Sequence, residues 1–294
     1  MLFRSKFIYL LFISNLLLAC SGNTESTEDS NDQVVDDSLT PERAAKAQLV
    51  FHTVPSPLET ASIFQNAGSV YNPEITNPVE NVNKYATNTQ KAINLGVYGA
   101  DLSYANIFDQ TQESMFYMNC SKKMSDGLGV TSAFDEATME RMEENMNNRD
   151  SLMIIINDAF WLADAYLKEN GQDNLSALII TGGWVEGLFL GTKALKKDNP
   201  DKELMKKIAE QKYSLTNLME LLATYNNEDV KKLGQTLTPL KTAFDKVKIE
   251  ENEATVSNQT GVPTIDGGST LTYETSTILE IAVVIEKIRN EIIK

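Results

Sequence analysis

The chain has 294 residues, a formal net charge of −15 at pH 7, one histidine and two cysteines. This acidic balance argues against nucleic acid as a partner, because phosphates require a basic protein surface. A single histidine excludes a multi-histidine zinc or iron site. It also excludes Ser-His-Asp and Cys-His catalysis unless His52 itself takes part.

An export signal occupies the beginning of the chain. Arg4 and Lys6 precede an apolar stretch from Phe7 to Leu18, which is too short to span a bilayer as a mature helix. The stretch ends in Leu17-Leu18-Ala19-Cys20. This pattern resembles a bacterial lipoprotein signal peptide with its lipobox. The resemblance implies that Cys20 is lipidated, with palmitate among the expected acyl groups, and becomes the mature N-terminus. The alternatives are an ordinary cleaved signal with a chance cysteine and a short uncleaved anchor.

Three segments follow from this interpretation: a signal peptide at 1–19, an acidic tether at 20–42 and a single all-helical domain at 43–294. The tether has acidic residues and no Lys or Arg, a composition typical of a disordered spacer. We expect no other apolar stretch to approach membrane-spanning length, and therefore a soluble domain that meets the membrane through its lipid anchor. We place it in the bacterial cell envelope, on the periplasmic face of the outer membrane or on the cell surface.

The second cysteine, Cys120, is the only thiol left once Cys20 is acylated, so an intramolecular disulfide cannot form. It lies in a mostly apolar run without a nearby partner base. We therefore expect a buried, inert thiol, and a stability that depends on the apolar core.

Helical patterns cover nearly the whole domain. Ser56-Pro57-Leu58-Glu59 combines an N-cap, a proline at the first helical position and an acid at N3, and it predicts a helix that ends near Gly68. Asn77-Pro78 opens a short helix, and Ser132 is the predicted cap of a Met- and Glu-rich helix that ends near Asn148. Further helices are predicted at about 89–108, 112–127, 150–170, 174–197, 201–225, 228–247 and 276–293.

Two of these regions differ from an ordinary amphipathic helix. The helix at 150–170 is apolar on all sides, which predicts a central, buried position. Residues 250–273 contain several glycines and a proline between two β-prone pieces, which indicates a long loop or a small hairpin. The predicted fold class is therefore all-α. It is a helical bundle of about nine or ten helices, as one bundle or two related halves, with one loop or hairpin near 250–273.

A short internal match suggests two related halves. Residues 95–102 and 181–188 share a glycine, an aromatic residue two positions on and a leucine, at an offset of 86 residues. A true repeat would place one glycine-bearing helix in the middle of each half. Small residues follow one face of each helix, and such stripes either let helix backbones pack closely or leave room for a ligand. The stripes are Ala92, Gly96, Gly99 and Ser103 in the first helix and Gly183, Gly187 and Gly191 in the second.

Acids within these apolar helices are the second feature of interest, since a buried carboxylate must be paired, hydrogen-bonded or bound to a cation. Helical spacing puts Tyr98 beside Asp101 and Asp158 beside Trp161, as in an aromatic-walled polar pocket. The alternative is that each acid, Asp164 included, accepts hydrogen bonds within the core or reaches solvent. The candidate ligand-binding residues are Tyr98, Asp101, Asp158, Trp161, Trp184 and Glu186, and no catalytic residue, metal ligand or cofactor is assigned.

The lipobox, the acidic tether, the opening at 55–59 and the segments at 95–104 and 182–187 together resemble a group of uncharacterised all-helical bacterial lipoproteins. Because no chemistry is tied to that group, the resemblance assigns no functional residue. Our main hypothesis is a cell-envelope lipoprotein that binds a protein partner or a small-molecule ligand. The alternatives are a structural or assembly component without a pocket and a carboxylate-dependent hydrolase. The absence of nucleotide-binding and hydrolase motifs favours a protein that is not an enzyme.

Overall fold

The computed structural model describes residues 40–53, 64, 68–196, 198–257 and 264–294, without the side chains of 51, 52 and 251–269. The predicted signal peptide, Cys20 and nearly all of the tether lie outside these ranges. So does most of the helix predicted between Ser56 and Gly68. The described residues all belong to one compact unit.

Ten α-helices and one hairpin lie in the described part of the chain, which confirms the predicted all-α bundle. Two short 3-10 helices, Pro73–Ile75 and Val79–Asn83, precede the second α-helix. The α-helices are α1 (Pro41–Thr53), α2 (Asn88–Ile107), α3 (Thr111–Gly127), α4 (Glu136–Glu144), α5 (Arg149–Glu169), α6 (Asp173–Lys193), α7 (Lys202–Ala223), α8 (Glu228–Thr236), α9 (Thr238–Phe244) and α10 (Thr275–Ile292).

The helix boundaries follow from local capping chemistry. Thr87 and Gln90 form a capping box at the start of α2, with the Gln90 amide nitrogen 3.1 Å from the Thr87 hydroxyl. The predicted cap at Ser132 is wrong. The carboxylate of Asp135 caps α4 by accepting a hydrogen bond of 2.8 Å from the amide of Thr138, so this helix begins later than predicted.

The helix predicted at 228–247 is two helices. α8 ends at Thr236, and α9 begins at Thr238 with Pro239 in its first turn. A proline has no amide hydrogen and its ring clashes with the preceding turn, so one continuous helix is interrupted at this position.

The segment at 250–273 belongs to an antiparallel hairpin, the only sheet within the described ranges. Strands β1 (Lys248–Ser257) and β2 (Thr264–Thr272) pair with Lys248 opposite Thr272. The register shifts between Asn252 and Thr255. Of the two predicted alternatives, the hairpin is therefore confirmed.

Helix α5 does not have the central position that its apolar sequence predicts. Its side chains Ile154, Trp161 and Leu162 are 62%, 54% and 51% exposed. The central helices are α2 and α6, most of whose residues are buried. An apolar circumference does not by itself decide which face a neighbouring helix covers, and in α5 one apolar face is left uncovered.

Helix α6 corrects the expectation that no stretch beyond the N-terminus approaches membrane-spanning length. By length and composition it could cross a membrane, but the most apolar part of it is 78% buried inside the fold. This burial is typical of the core helix of a globular domain.

The thiol of Cys120 is buried as predicted, with the residue 5% exposed. Burial, together with a smaller effect of the nearby carboxyl of Asp101, raises its pKa to about 12. Because the thiolate is the nucleophilic form, the thiol is unreactive at neutral pH.

Helices α2 and α6 are in backbone contact where they cross. A Cβ atom added to Gly96 would overlap the carbonyl oxygen of Ile179, and one added to Gly182 would overlap that of Ile93. The two contacts are reciprocal, since Gly96 and Gly182, like Ile93 and Ile179, are separated by the offset of 86 residues found in the sequence. The matching segments therefore pack on each other with approximate two-fold symmetry.

This geometry predicts opposite effects for two Gly→Ala changes. Gly96→Ala should lower the free energy of unfolding by about 3 kcal/mol or more, because the methyl group meets backbone that cannot move aside. Gly187→Ala lies in open space on the same helix pair and should raise it by up to about 1 kcal/mol through helix propensity. Urea unfolding followed by circular dichroism measures both, and equal effects would contradict the proposed contact.

Candidate functional site

A cleft lies between α2, α5 and α6, beside the crossing of the two central helices. Its volume is about 280 Å³. We call it the α2/α5/α6 cleft. The residues that define it are Gly96, Gly99 and Ala100 of α2, Phe160 of α5, and Gly183, Trp184 and Gly187 of α6.

Glycines expose backbone along the walls of this cleft. A Cβ added to Gly187 would meet no atom within 4 Å. A Cβ added to Gly99 would overlap the ring of Phe160, so this ring packs directly on the backbone of α2. The small residues that the sequence singled out thus have two roles, since Gly96 and Gly182 permit the helix contact whereas Gly187 borders open space.

Most polar side chains inside the cleft bond to other groups of the protein. Asp164 accepts a hydrogen bond from the hydroxyl of Ser176, and its other oxygen is 2.7 Å from the ammonium of Lys168. Ser103 donates to the carbonyl of Gly99 at 2.9 Å. Aliphatic and aromatic side chains supply most of the remaining lining, among them Ile179, Ile180, Leu190 and Ile156.

A buried ion pair lies in the core between α6 and α10. The guanidinium of Arg289 binds Glu186 through two hydrogen bonds, of 2.8 Å and 2.9 Å. It also donates to the carbonyl of Ile75 at 3.1 Å and lies 4.7 Å from the ring centroid of Phe189. Glu186 is 0% exposed and Arg289 is 5% exposed. Such a pair is stable only with this full set of partners.

Asp101 completes the buried cluster. Its Oδ2 accepts a hydrogen bond of 3.1 Å from the amide of Asn77. Burial raises the pKa of Asp101 well above its usual range, the charge of Glu186 raises it further, and Arg289 partly opposes both. Burial also raises the pKa of Glu186, while its hydrogen bonds to Arg289 lower it. We therefore assign the proton to Asp101 and the negative charge to Glu186, because two buried negative charges side by side are unfavourable.

The cluster and the cleft occupy matching positions about the α2/α6 crossing. Ala100 and Ser103 line the cleft, and the residues 86 positions later are Glu186 and Phe189, which hold Arg289. Conversely, Gly187 of the cleft corresponds to Asp101 of the cluster. One groove of the helix pair is therefore filled by charged and aromatic side chains. The matching groove has small residues at the corresponding positions and stays open within the residues that the structure describes.

The six predicted site residues are divided among the buried core, the cleft and the surface. Asp101 and Glu186 lie in the buried cluster. Tyr98 is also buried, and its hydroxyl donates to the carbonyl of Pro78 at 3.2 Å. Trp184 lines the cleft, with its indole N–H 3.2 Å from Gln211 Oε1. Asp158 and Trp161 are exposed on α5, so the predicted aromatic-walled acidic pocket is not formed by this set.

Sequence reasoning missed Arg289 and the cleft residue Asn157. Arg289 had a detectable signal: it continues the spacing of Ile278, Ile281 and Ile285, which form the buried stripe of α10. A cation at a stripe position indicates a buried acidic partner. Asn157 had no such signal, because its importance depends on how α5 is placed against α2 and α6.

No group of three or more His, Cys, Asp or Glu side chains is placed to hold a metal ion in the part of the chain that the structure describes. Comparison with known proteins gives no match, either to a protein-family model, to a curated protein or to a solved structure. The resemblance to all-helical lipoproteins therefore stays a sequence-based expectation, and the geometry of the domain carries the functional argument.

Breaking the buried pair should be far more damaging than breaking an exposed one between the same two helices. Glu186→Gln should lower the free energy of unfolding by about 3 to 5 kcal/mol, because it removes the carboxylate that holds the buried guanidinium of Arg289 through two hydrogen bonds. Lys193 and Glu286, 2.6 Å apart and partly exposed, also join α6 to α10. Glu286→Gln should therefore cost less than about 1 kcal/mol.

Urea unfolding of the two variants measures this difference. The double variant Glu186→Met, Arg289→Met provides a further control, because it removes both charges at once and should lose less stability than Glu186→Gln alone. Similar losses for Glu186→Gln and Glu286→Gln would contradict the structural role of the buried pair.

Proposed function

We propose that this protein is a cell-envelope lipoprotein whose helical domain binds a small, mainly apolar molecule in the α2/α5/α6 cleft. The observation that carries the proposal is the open groove at Gly187, in a domain whose matching groove is filled. The membrane attachment rests on the lipobox pattern that ends in Cys20.

The lining of the cleft supports an apolar ligand. Trp184, Phe160 and aliphatic side chains form its walls, and the polar groups of Asp164, Ser176 and Ser103 bond within the protein. Apolar contact area contributes about 25 cal/mol per Å² removed from water, so a ligand that fills the cleft gains affinity mainly from burial.

Gly187 is informative because a purely structural helix contact does not require it. A glycine inside a helix costs up to about 1 kcal/mol relative to alanine. At Gly96 and Gly182 the backbone contact explains the glycine, but no atom of the described residues approaches the Cβ position of Gly187. Gly191 also meets open space, but only Gly187 of the two lines the cleft, and this position favours a binding module over a component without a pocket.

The buried carboxylates do not support the hydrolase alternative. Asp101 and Glu186 are both 0% exposed, and Glu186 is fully engaged by Arg289. An acid and base for glycoside hydrolysis must flank a substrate bond, and these two carboxyl groups face each other and the core.

A protein partner is the second candidate, and the exposed face of α5 favours it. Ile154 and Trp161 are seven positions apart and so lie on one side of the helix, and Leu162 is next to Trp161. Exposed apolar side chains grouped in this way are typical of interaction surfaces. This face borders the cleft, because Asn157 and Phe160 of the same helix line it.

The cleft is testable with a fluorescence reporter that the chain already contains. Trp161 and Trp184 are its two tryptophans, so Trp161→Phe leaves Trp184 in the cleft as the sole indole. An apolar probe such as N-phenyl-1-naphthylamine should bind and change the Trp184 emission. In this background Gly187→Leu should weaken the probe affinity at least about tenfold, because the new side chain occupies the cleft.

The matched control is Gly191→Leu, one turn further along α6, where an added Cβ also meets open space but the residue does not line the cleft. It should leave the probe affinity unchanged. Equal losses in the two variants, or no probe binding by a folded protein, would contradict the proposed site.

The membrane attachment has its own test. Cells that express the full chain should incorporate a labelled palmitate analogue into it, and Cys20→Ser should abolish the label and release the protein from the membrane fraction. Cys120→Ser is the control, because the other thiol is buried in the domain. Label that persists in the Cys20→Ser chain would contradict lipidation at this residue.

A further inference from the structure

We infer that the ligand of the α2/α5/α6 cleft is a single-chain amphiphile with an uncharged head group, and that Asn157 binds this head. Hydroxyl and primary amide groups fit this description, because each both donates and accepts hydrogen bonds. The inference rests on the proposed function of the cleft and specifies the chemical class of its ligand.

Asn157 is an exposed polar side chain of the cleft that is available to a ligand. It lies on α5, is exposed to solvent and lines the cleft. Its amide makes no side-chain hydrogen bond within the ranges that the structure describes, whereas Asp164, Ser176 and Ser103 all bond to protein groups. A polar atom of the ligand is therefore expected at Asn157, and the rest of the ligand is expected to be apolar.

The chemistry of the Asn157 side chain selects a neutral head. A carboxamide offers donors and an acceptor, so it matches a hydroxyl or amide in both directions. A carboxylate only accepts and an ammonium only donates, and each loses hydration when it is brought against an apolar rim. Asp158 follows Asn157 directly on α5 and is exposed, so its charge disfavours a carboxylate head at this position.

The size of the cleft indicates one chain. Its volume of about 280 Å³ is at the lower end of pockets that hold small molecules. Gly183 and Gly187 border the cleft on α6, and Gly99 of α2 with the ring of Phe160 of α5 also borders it. An unbranched chain packs along such a groove, whereas two chains side by side require a wider site.

A homologous series of n-alkyl alcohols, from hexanol to hexadecanol, tests whether the ligand has a single alkyl chain. Affinity is read from Trp184 emission in the full chain that carries Trp161→Phe, whose fold is checked by circular dichroism. Each added methylene should tighten binding about fourfold until the cleft is full, after which the affinity should level off. An affinity that does not depend on chain length would overturn the inference.

The head group is tested at one chain length. The alcohol should bind more tightly than the carboxylate or the ammonium compound. Asn157→Ala should weaken alcohol binding about fivefold, the equivalent of one hydrogen bond, and leave the binding of N-phenyl-1-naphthylamine unchanged. Asp158→Ala is the matched control, since it removes an exposed neighbour that does not line the cleft. It should not weaken alcohol binding.

The outcomes separate this inference from the proposed function. If the apolar probe binds and Gly187→Leu prevents it, but the alcohols show no chain or head preference, the cleft is a binding site and the amphiphile assignment is wrong. If neither the probe nor any alcohol binds to the folded protein, both proposals fail. Tighter binding of the carboxylate, or no effect of Asn157→Ala, would overturn the role of Asn157.

Discussion

The backbone contact between α2 and α6 is the constraint on which the rest of the domain depends. Gly96 lies against the carbonyl of Ile179 and Gly182 against that of Ile93, so each helix needs a glycine at one position. Helices that approach this closely cannot fill the grooves beside the contact with their own side chains alone. Other elements therefore pack into these grooves, and what they leave open becomes the cleft.

The two grooves beside the α2/α6 contact differ in the side chains that occupy them. On one side, α10 inserts Arg289, which is bound by Glu186 and lies over the ring of Phe189. On the other side, α5 inserts Phe160 against Gly99, and space remains at Gly187. The approximate symmetry of the halves thus combines one groove that is filled by a buried ion pair with one in which we propose that a ligand binds. Because this cleft is built on the two central helices, its walls are held by the core of the domain.

Much of the fold could be predicted from the sequence because it depends on local chemistry. The capping box at Thr87 sets the start of α2, and Gly171, where φ is +66°, follows the end of α5. The spacing of α10 marks Arg289 as a buried cation, but no local pattern identifies Glu186, 103 residues away, as its partner. The position of α5 was mispredicted for the same reason, since which apolar face is covered depends on distant elements. The glycine stripes are compatible with close helix packing and with room for a ligand. Only the crossing of α2 and α6 in three dimensions places Gly96 at the packing contact and Gly187 beside the cleft.

Native mass spectrometry of the protein isolated from its own cells directly tests whether the α2/α5/α6 cleft binds a ligand, because it detects whatever the cleft has bound. We predict an adduct of one discrete small mass in addition to the lipid anchor. The adduct should be lost in Gly187→Leu and kept in Gly191→Leu. A wild-type protein that is folded and carries no adduct, or an adduct that persists in Gly187→Leu, would contradict the account.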